Sequence, residues 1–182
     1  MKIFNLFLAS SIFFTACKSQ THNDSIAVDQ HTQSNAQAVS CKHLQLAIQV
    51  DFEQQQLRGC ATWEIENKDA DELHLDTDQL SIDSVLVDAT KVSFHKDTTV
   101  PHLGERLRIP IQKNSKLVAI YYKTGAHPRA LQWLTAQQTL SKTKPFLYTQ
   151  SESIYARSWI PCPDGPGTVS YTHLTLPTNR EV

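Results

Sequence analysis

Between Leu44 and Glu66 apolar and polar residues alternate with a period of two, and that period most constrains what the chain can fold into. Leu44, Leu46, Ile48 and Val50 interleave with Gln45, Ala47 and Gln49. After a polar stretch at 51–56, Leu57, Gly59, Ala61, Trp63 and Ile65 interleave with Arg58, Cys60, Thr62 and Glu64. Alternation places one set of side chains on one face, so each run predicts a half-buried strand and the pair predicts an antiparallel hairpin. Further short runs at 72–76, 80–87, 91–95, 106–111 and 116–123 supply good strand formers such as Val85, Val87, Ile109, Val118, Ile120 and Tyr122. No window before Ser151 shows apolar residues at helical spacing. The expectation is an all-β fold of two packed or strongly curved antiparallel sheets. That architecture by itself names no function, since such sandwiches serve adhesion, sugar binding and scaffolding alike.

The first residues break this pattern. Lys2 precedes a mostly apolar stretch at 3–14, well short of the roughly 20 apolar residues that span a bilayer. It ends in Phe14-Thr15-Ala16-Cys17, small residues before a Cys, as in a bacterial lipobox. The expectation is a lipoprotein signal at 1–17, with lipidation of Cys17 as the link to a membrane. The corresponding address is the bacterial cell envelope, on the outer membrane facing the periplasm, because Lys18 rather than Asp follows the Cys. An ordinary secretory signal with Cys17 there by chance is the alternative. Residues 18–40 are rich in Ser, Thr, Gln, Asn, Asp and His and read as a disordered tether, with His22 and His31 as solvated spacer. A net charge of -1 and the lack of a basic run interleaved with aromatics give no reason for a nucleic acid partner.

With Cys17 assigned to lipid, Cys41, Cys60 and Cys162 remain. If the hairpin turns near Glu53, facing positions sum to about 107, so Cys60 faces Ala47, and a bridge to Cys41 needs another register. Free, mostly buried thiols are expected. No CxxC pair exists to hold zinc.

The informative stretch runs from Gly125 to Pro166 and contains three blocks in order. The first is Ala130-Leu131-Gln132-Trp133-Leu134-Thr135, followed by Gln138-Thr139. The second is Pro145-Phe146-Leu147-Tyr148-Thr149-Gln150-Ser151-Glu152. The third is Ala156-Arg157-Ser158-Trp159-Ile160-Pro161-Cys162-Pro163-Asp164-Gly165-Pro166. Together they resemble the M1 family of zinc aminopeptidases, in the branch of leukotriene A4 hydrolase and the cold-adapted bacterial enzymes. Leu57-Arg58-Gly59 fits the family's opening hairpin weakly. The resemblance implies a saddle-shaped, amino-terminal β domain at 41–168 that packs on a thermolysin-like catalytic domain. It also implies a substrate-binding role. Glu152 matches the position that helps hold the free α-amine of a peptide substrate, and an ammonium group is well served by a carboxylate acceptor. Gln150 matches a second pocket position, and two residues apart on an extended segment both face one side. The competing readings are a solvated surface acid for Glu152 and a backbone-satisfying amide for Gln150. Trp133 and Trp159 are expected as core aromatics, and Pro161–Asp164 as an architectural exit.

The family's chemistry needs zinc on an HExxH helix, with that motif's Glu as general base. No HExxH occurs, and Met1 as the only Met leaves no Gly-x-Met-Glu-Asn loop. His43, His74, His95, His102 and His127 lie at no ligand spacing. The chain therefore carries no expected catalytic or metal residue, and zinc belongs to a parent enzyme. Translating GTC TCT TAT ACA CAT CTG ACG CTG CCG ACG gives the ten residues Val169 to Thr178, and that DNA resembles a transposon-based adapter, so 169–182 is expected to be foreign read-through. A genuine strand is the alternative there. The leading function is an amino-terminal part of a peptide-trimming zinc aminopeptidase, inactive by itself. The runner-up is a non-catalytic β-sandwich lipoprotein that binds a sugar or a protein.

Overall fold

The computed structural model describes residues 29–165 and the backbone of Tyr171–Thr175. Eleven strands follow in order: β1 (Val39–Asp51), β2 (Gln56–Asn67), β3 (Glu72–Thr77), β4 (Ser81–Val87), β5 (Thr90–Val92), β6 (His95–Lys96), β7 (Glu105–Pro110), β8 (Leu117–Lys123), β9 (Leu131–Leu134), β10 (Phe146–Thr149) and β11 (Tyr171–Thr175). The helical elements among the described residues are single 3-10 turns at Ala136–Gln138 and Ala156–Ser158. The strands form a six-stranded sheet in the order β11-β1-β2-β8-β4-β5, a three-stranded sheet β3-β7-β6, and the two-stranded hairpin β10-β9. All pairings are antiparallel except that of β11, which runs parallel to β1 with Tyr171 opposite His43 and Thr175 opposite Ala47. The expected all-β class is the fold observed.

The β1–β2 hairpin has the register read from its alternation, with Asp51 opposite Gln56 and Ala47 opposite Cys60. Gly59 is required there, because a Cβ would run into the carbonyl oxygen of Ala47. Towards the open end, Cys41 pairs with Ile65 while His43 pairs with Glu64, leaving Lys42 as the extra residue of a bulge. The bulge changes parity. It lets Val39 and Cys41 point inward together with Leu44, Leu46 and Ile48.

One apolar cluster joins the inner face of the large sheet (Leu46, Ala61, Trp63, Val85, Val118 and Ile120) to Leu73, Leu75, Leu107 and Ile109 of the three-stranded sheet. Trp63 is fully buried, and its indole N–H donates to the Pro161 carbonyl at 2.9 Å. Trp133 and Trp159 pack against the core only partly buried. The three described cysteines are free, with Cys41 and Cys162 buried and Cys60 half-buried. Cys60 faces Ala47, as the register requires.

The expected tether needs correction at its carboxy-terminal end. Residues 31–35 lie against β3: the Thr32 hydroxyl donates to Asp76 Oδ2, and the Gln33 N–H donates to Asp76 Oδ1 at 2.7 Å. The Asn35 amide donates to the Glu72 carbonyl and accepts from the His74 N–H, both at 2.8 Å. A segment poor in apolar residues is ordered here because buried acceptors and the β3 edge need its donors. Composition measures only what a segment can bury, and so it missed this. Residues 1–28, with Cys17 and His22, lie outside the described residues.

Candidate functional site

The site residues sit where the β9–β10 hairpin returns to the body. The Gln150 N–H extends the ladder by donating to the Ala130 carbonyl at 2.8 Å, and the chain then turns away. The Glu152 N–H donates to the side-chain oxygen of Gln150 at 3.1 Å. The structure thus brings Gln150 and Glu152 together, but through a local turn rather than along an extended strand. One end of the Gln150 amide satisfies backbone, the competing reading for that residue. Both side chains are exposed, and Glu152 forms no ion pair among the described residues.

This turn is braced on several sides. The Tyr155 N–H donates to the Ser151 carbonyl at 2.8 Å, and the Trp159 indole N–H donates to the Ser151 hydroxyl at 3.0 Å. Ser158 donates its hydroxyl to the Tyr155 carbonyl at 2.7 Å and accepts from the Ala130 N–H at 3.0 Å. The Arg129 guanidinium lies 4.7 Å from the centre of the Tyr155 ring while its Nε donates to Asp78 at 2.9 Å. Glu152 therefore projects from a turn whose backbone is held by its own neighbours.

Behind it lies a charged cluster that sequence reasoning missed. Arg157 and Asp76 have no solvent exposure, and Asp164 retains 9%. Arg157 Nε donates to Asp164 Oδ2 at 3.0 Å, Nη1 to the Leu103 carbonyl at 2.7 Å, and Nη2 to the carbonyls of His31 and Asp164 at 2.6 and 2.7 Å. The Asp164 N–H donates to Asp76 Oδ2 at 2.9 Å. Burial pushes the Asp164 carboxyl up, against the lowering pull of the Arg157 hydrogen bonds. Asp164 thus has the architectural role expected of it. Arg157 was visible within its motif, but its fate was not, because burial depends on Asp76 in a distant strand. Burial also pushes the Cys41 thiol up to about 12 and that of Cys162 well above its ordinary value, so neither is a reactive thiolate.

Among the described residues no group of three or more His, Cys, Asp and Glu could hold a metal ion. His74 and His95 flank Arg108 across the three-stranded sheet, each beside an acid: Glu72 at 3.0 Å and Asp97 at 3.5 Å. They are members of an ion-pair ladder. His43, His102 and His127 belong to no metal-ligating group among the described residues.

A six-stranded sheet with a three-stranded sheet and a two-stranded hairpin fits the amino-terminal β domain of an M1 peptidase. The chain belongs to that family: residues 40–181 match the Peptidase M1 N-terminal domain. The match continues beyond Thr168, where the resemblance of the motifs ends. Leucine aminopeptidase 2-2 of Scheffersomyces stipitis is 34% identical over 162 residues, which is 87% of this chain and 26% of that protein. The structure of yeast LTA4 hydrolase in complex with bestatin superposes with a TM-score of 0.77 at 33% identity, covering 85% of this chain and 26% of that one. An M1 zinc metallopeptidase from Deinococcus radiodurans shares the fold alone, with a TM-score of 0.55 at 13% identity over 78% of this chain and 33% of its own. The chain thus spans about a quarter of the length of the curated relative.

These relatives correct the expected address. They are leucine aminopeptidases of yeasts and related fungi, not bacterial outer-membrane lipoproteins. No helix among the described residues is long and apolar enough to cross a membrane. The envelope assignment rested on a short, mostly apolar stretch and one Cys, a pattern too short to carry a location.

Proposed function

We propose that this domain is the amino-terminal part of a zinc aminopeptidase, and that Glu152, assisted by Gln150, holds the free α-amine of a peptide substrate. The observation that carries this is an exposed carboxylate, without an ion pair among the described residues, on a turn fixed by the Ser151, Tyr155, Ser158 and Trp159 bonds. A pre-placed acceptor spends little ordering entropy when an ammonium group arrives, and a charge-assisted bond to it contributes about 1.5–3 kcal/mol. Zinc in such an enzyme supplies an activated water and a polarised carbonyl. The described residues do not fit a zinc site, so the domain's own part is binding and orientation. By this reading the 182 residues alone hydrolyse nothing. A thermolysin-like catalytic domain would cover the β9–β10 face, where Leu140, Phe146 and Tyr148 stand exposed.

The test has two arms. Genomic DNA beyond codon 168 is expected to encode an in-frame HExxH within a few hundred codons. In the enzyme expressed from that frame, Glu152→Ala is expected to lower kcat/KM for peptides with a free amino terminus by about tenfold to a hundredfold. Stability should stay within about 0.5 kcal/mol, because the side chain is exposed. An intact locus without HExxH, or unchanged kinetics in the variant, overturns the proposal. The same DNA decides 169–182. We infer an adapter origin because adapter-like DNA would translate to residues 169–178, even though the family match reaches 181 and the backbone at 171–175 pairs with β1. Clean genomic DNA that encodes Val169–Val182 ends that inference.

A further inference from the structure

The segment at 31–35 touches a place where three buried charges, Asp76, Arg157 and Asp164, meet, and its contacts continue into the candidate site. Asp76 accepts three hydrogen bonds, from the Thr32 hydroxyl, the Gln33 N–H and the Asp164 N–H. Two of the three come from this segment. Arg157 spends one Nη2 bond on the His31 carbonyl. Gln33 also reaches the Gly104 carbonyl at 3.4 Å, and Asn35 takes both bonds that a neighbouring strand would make to Glu72 and His74 of β3. With the segment lifted, a buried carboxylate keeps one donor of three and a buried guanidinium loses an acceptor. Such groups cannot stay where they are without water or new partners.

The consequences reach the turn through the main chain of residues 157–159. The Arg157 N–H donates to Asp164 Oδ2 at 3.1 Å, and its carbonyl accepts from the Asp78 N–H at 2.9 Å. Ser158 and Trp159, the next two residues, hold Tyr155 and Ser151. We propose that residues 31–35 form a strap whose docking on Asp76 and Arg157 fixes the Ser151–Tyr155 turn, so that the strap is a conformational control on the site. The device concerns the turn's mobility and does not depend on Glu152 binding an amine.

Hydrogen exchange of the 182-residue chain, followed by mass spectrometry, tests this with two variants. Thr32→Val removes a donor to Asp76 while keeping the side chain's size. Asn35→Ala loosens the strap without touching Asp76 or Arg157. Each is expected to speed exchange about tenfold both at 31–36 and at 151–160, while the amides of β2 and β8 keep their rates. Faster exchange at 31–36 alone overturns the proposal, because the strap would then be free to leave without consequence. Uniform acceleration across β2 and β8 overturns it too, as the signature of global destabilisation. An effect of Thr32→Val that Asn35→Ala fails to reproduce also overturns it, since the cause would be local charge and not docking.

Discussion

Arg157 and Glu152 lie five positions apart and illustrate opposite uses of charge. Glu152 is exposed, and its proposed role comes from the resemblance of the motif around it rather than from its surroundings. Arg157 is sealed in, and its partners Asp76, Leu103 and His31 come from distant parts of the chain. No local pattern announces such a meeting, because the pairing exists only after β3 and the 3-10 turn have packed. Removing the cation leaves Asp76 and Asp164 as buried, like-charged neighbours. Arg157→Ala is therefore expected to cost about 3–5 kcal/mol, read as a lowered urea midpoint with an unchanged m-value. Arg157→Lys keeps the charge but loses the fork that serves four acceptors, so its midpoint should fall between the two. A wild-type midpoint for Arg157→Ala would mean that the cluster contributes no net stability.

Among the elements, strands of six residues or more were legible, the expected run at 91–95 divides between β5 and β6, and the four-residue pair β9 and β10 gave no period. β1 and β2 alternate over a dozen residues each, and their register followed from the turn at Glu53. β9 and β10 have four residues apiece, too few for a period to show, so 131–134 and 146–149 were known only as parts of motifs. The bulge at Lys42 is written in the sequence as a break in spacing, apolar at 39 and 41 but then at 44. It makes a sharp prediction. Deleting Lys42 restores simple alternation and keeps every inward residue inward, so the unfolding free energy from urea titration should change by less than about 1 kcal/mol. Deleting Gln45, three residues on, turns part of β1 over and exposes its buried set, and should abolish cooperative unfolding. Equal effects of the two deletions would refute the parity argument.

At the scale of the whole molecule, the charges on and beside the three-stranded sheet contribute to the response to acid, together with Glu66 and Asp88, whose carboxyls are also held low. Hydrogen bonds from His74 and Arg108 hold the Glu72 carboxyl below its usual range. For Asp97 burial pulls upward, but the Arg106 hydrogen bond and the charge of Arg108 prevail and lower it. Depressed carboxyls contribute stability above the unfolded value, near pH 4, and lose it as pH falls through their folded values. Asp164 has the opposite sign, since burial favours its protonated form. The urea midpoint is thus expected to hold from pH 7 to about 5 and to drop below 4, with a shallower drop in Glu72→Gln. The size is under about 1 kcal/mol for so exposed a pair. An identical acid limb in the variant would remove Glu72 from the account. The His31–Arg157 bond spans 126 positions, and this fixes an order of events during synthesis. A ribosome delivers the strap early and Arg157 well over a hundred residues later, at about 5–20 residues per second. For part of that time Asp76 has only the strap's two donors and lacks the Asp164 N–H and the Arg157 cation. An early segment is thus held in place by a later one.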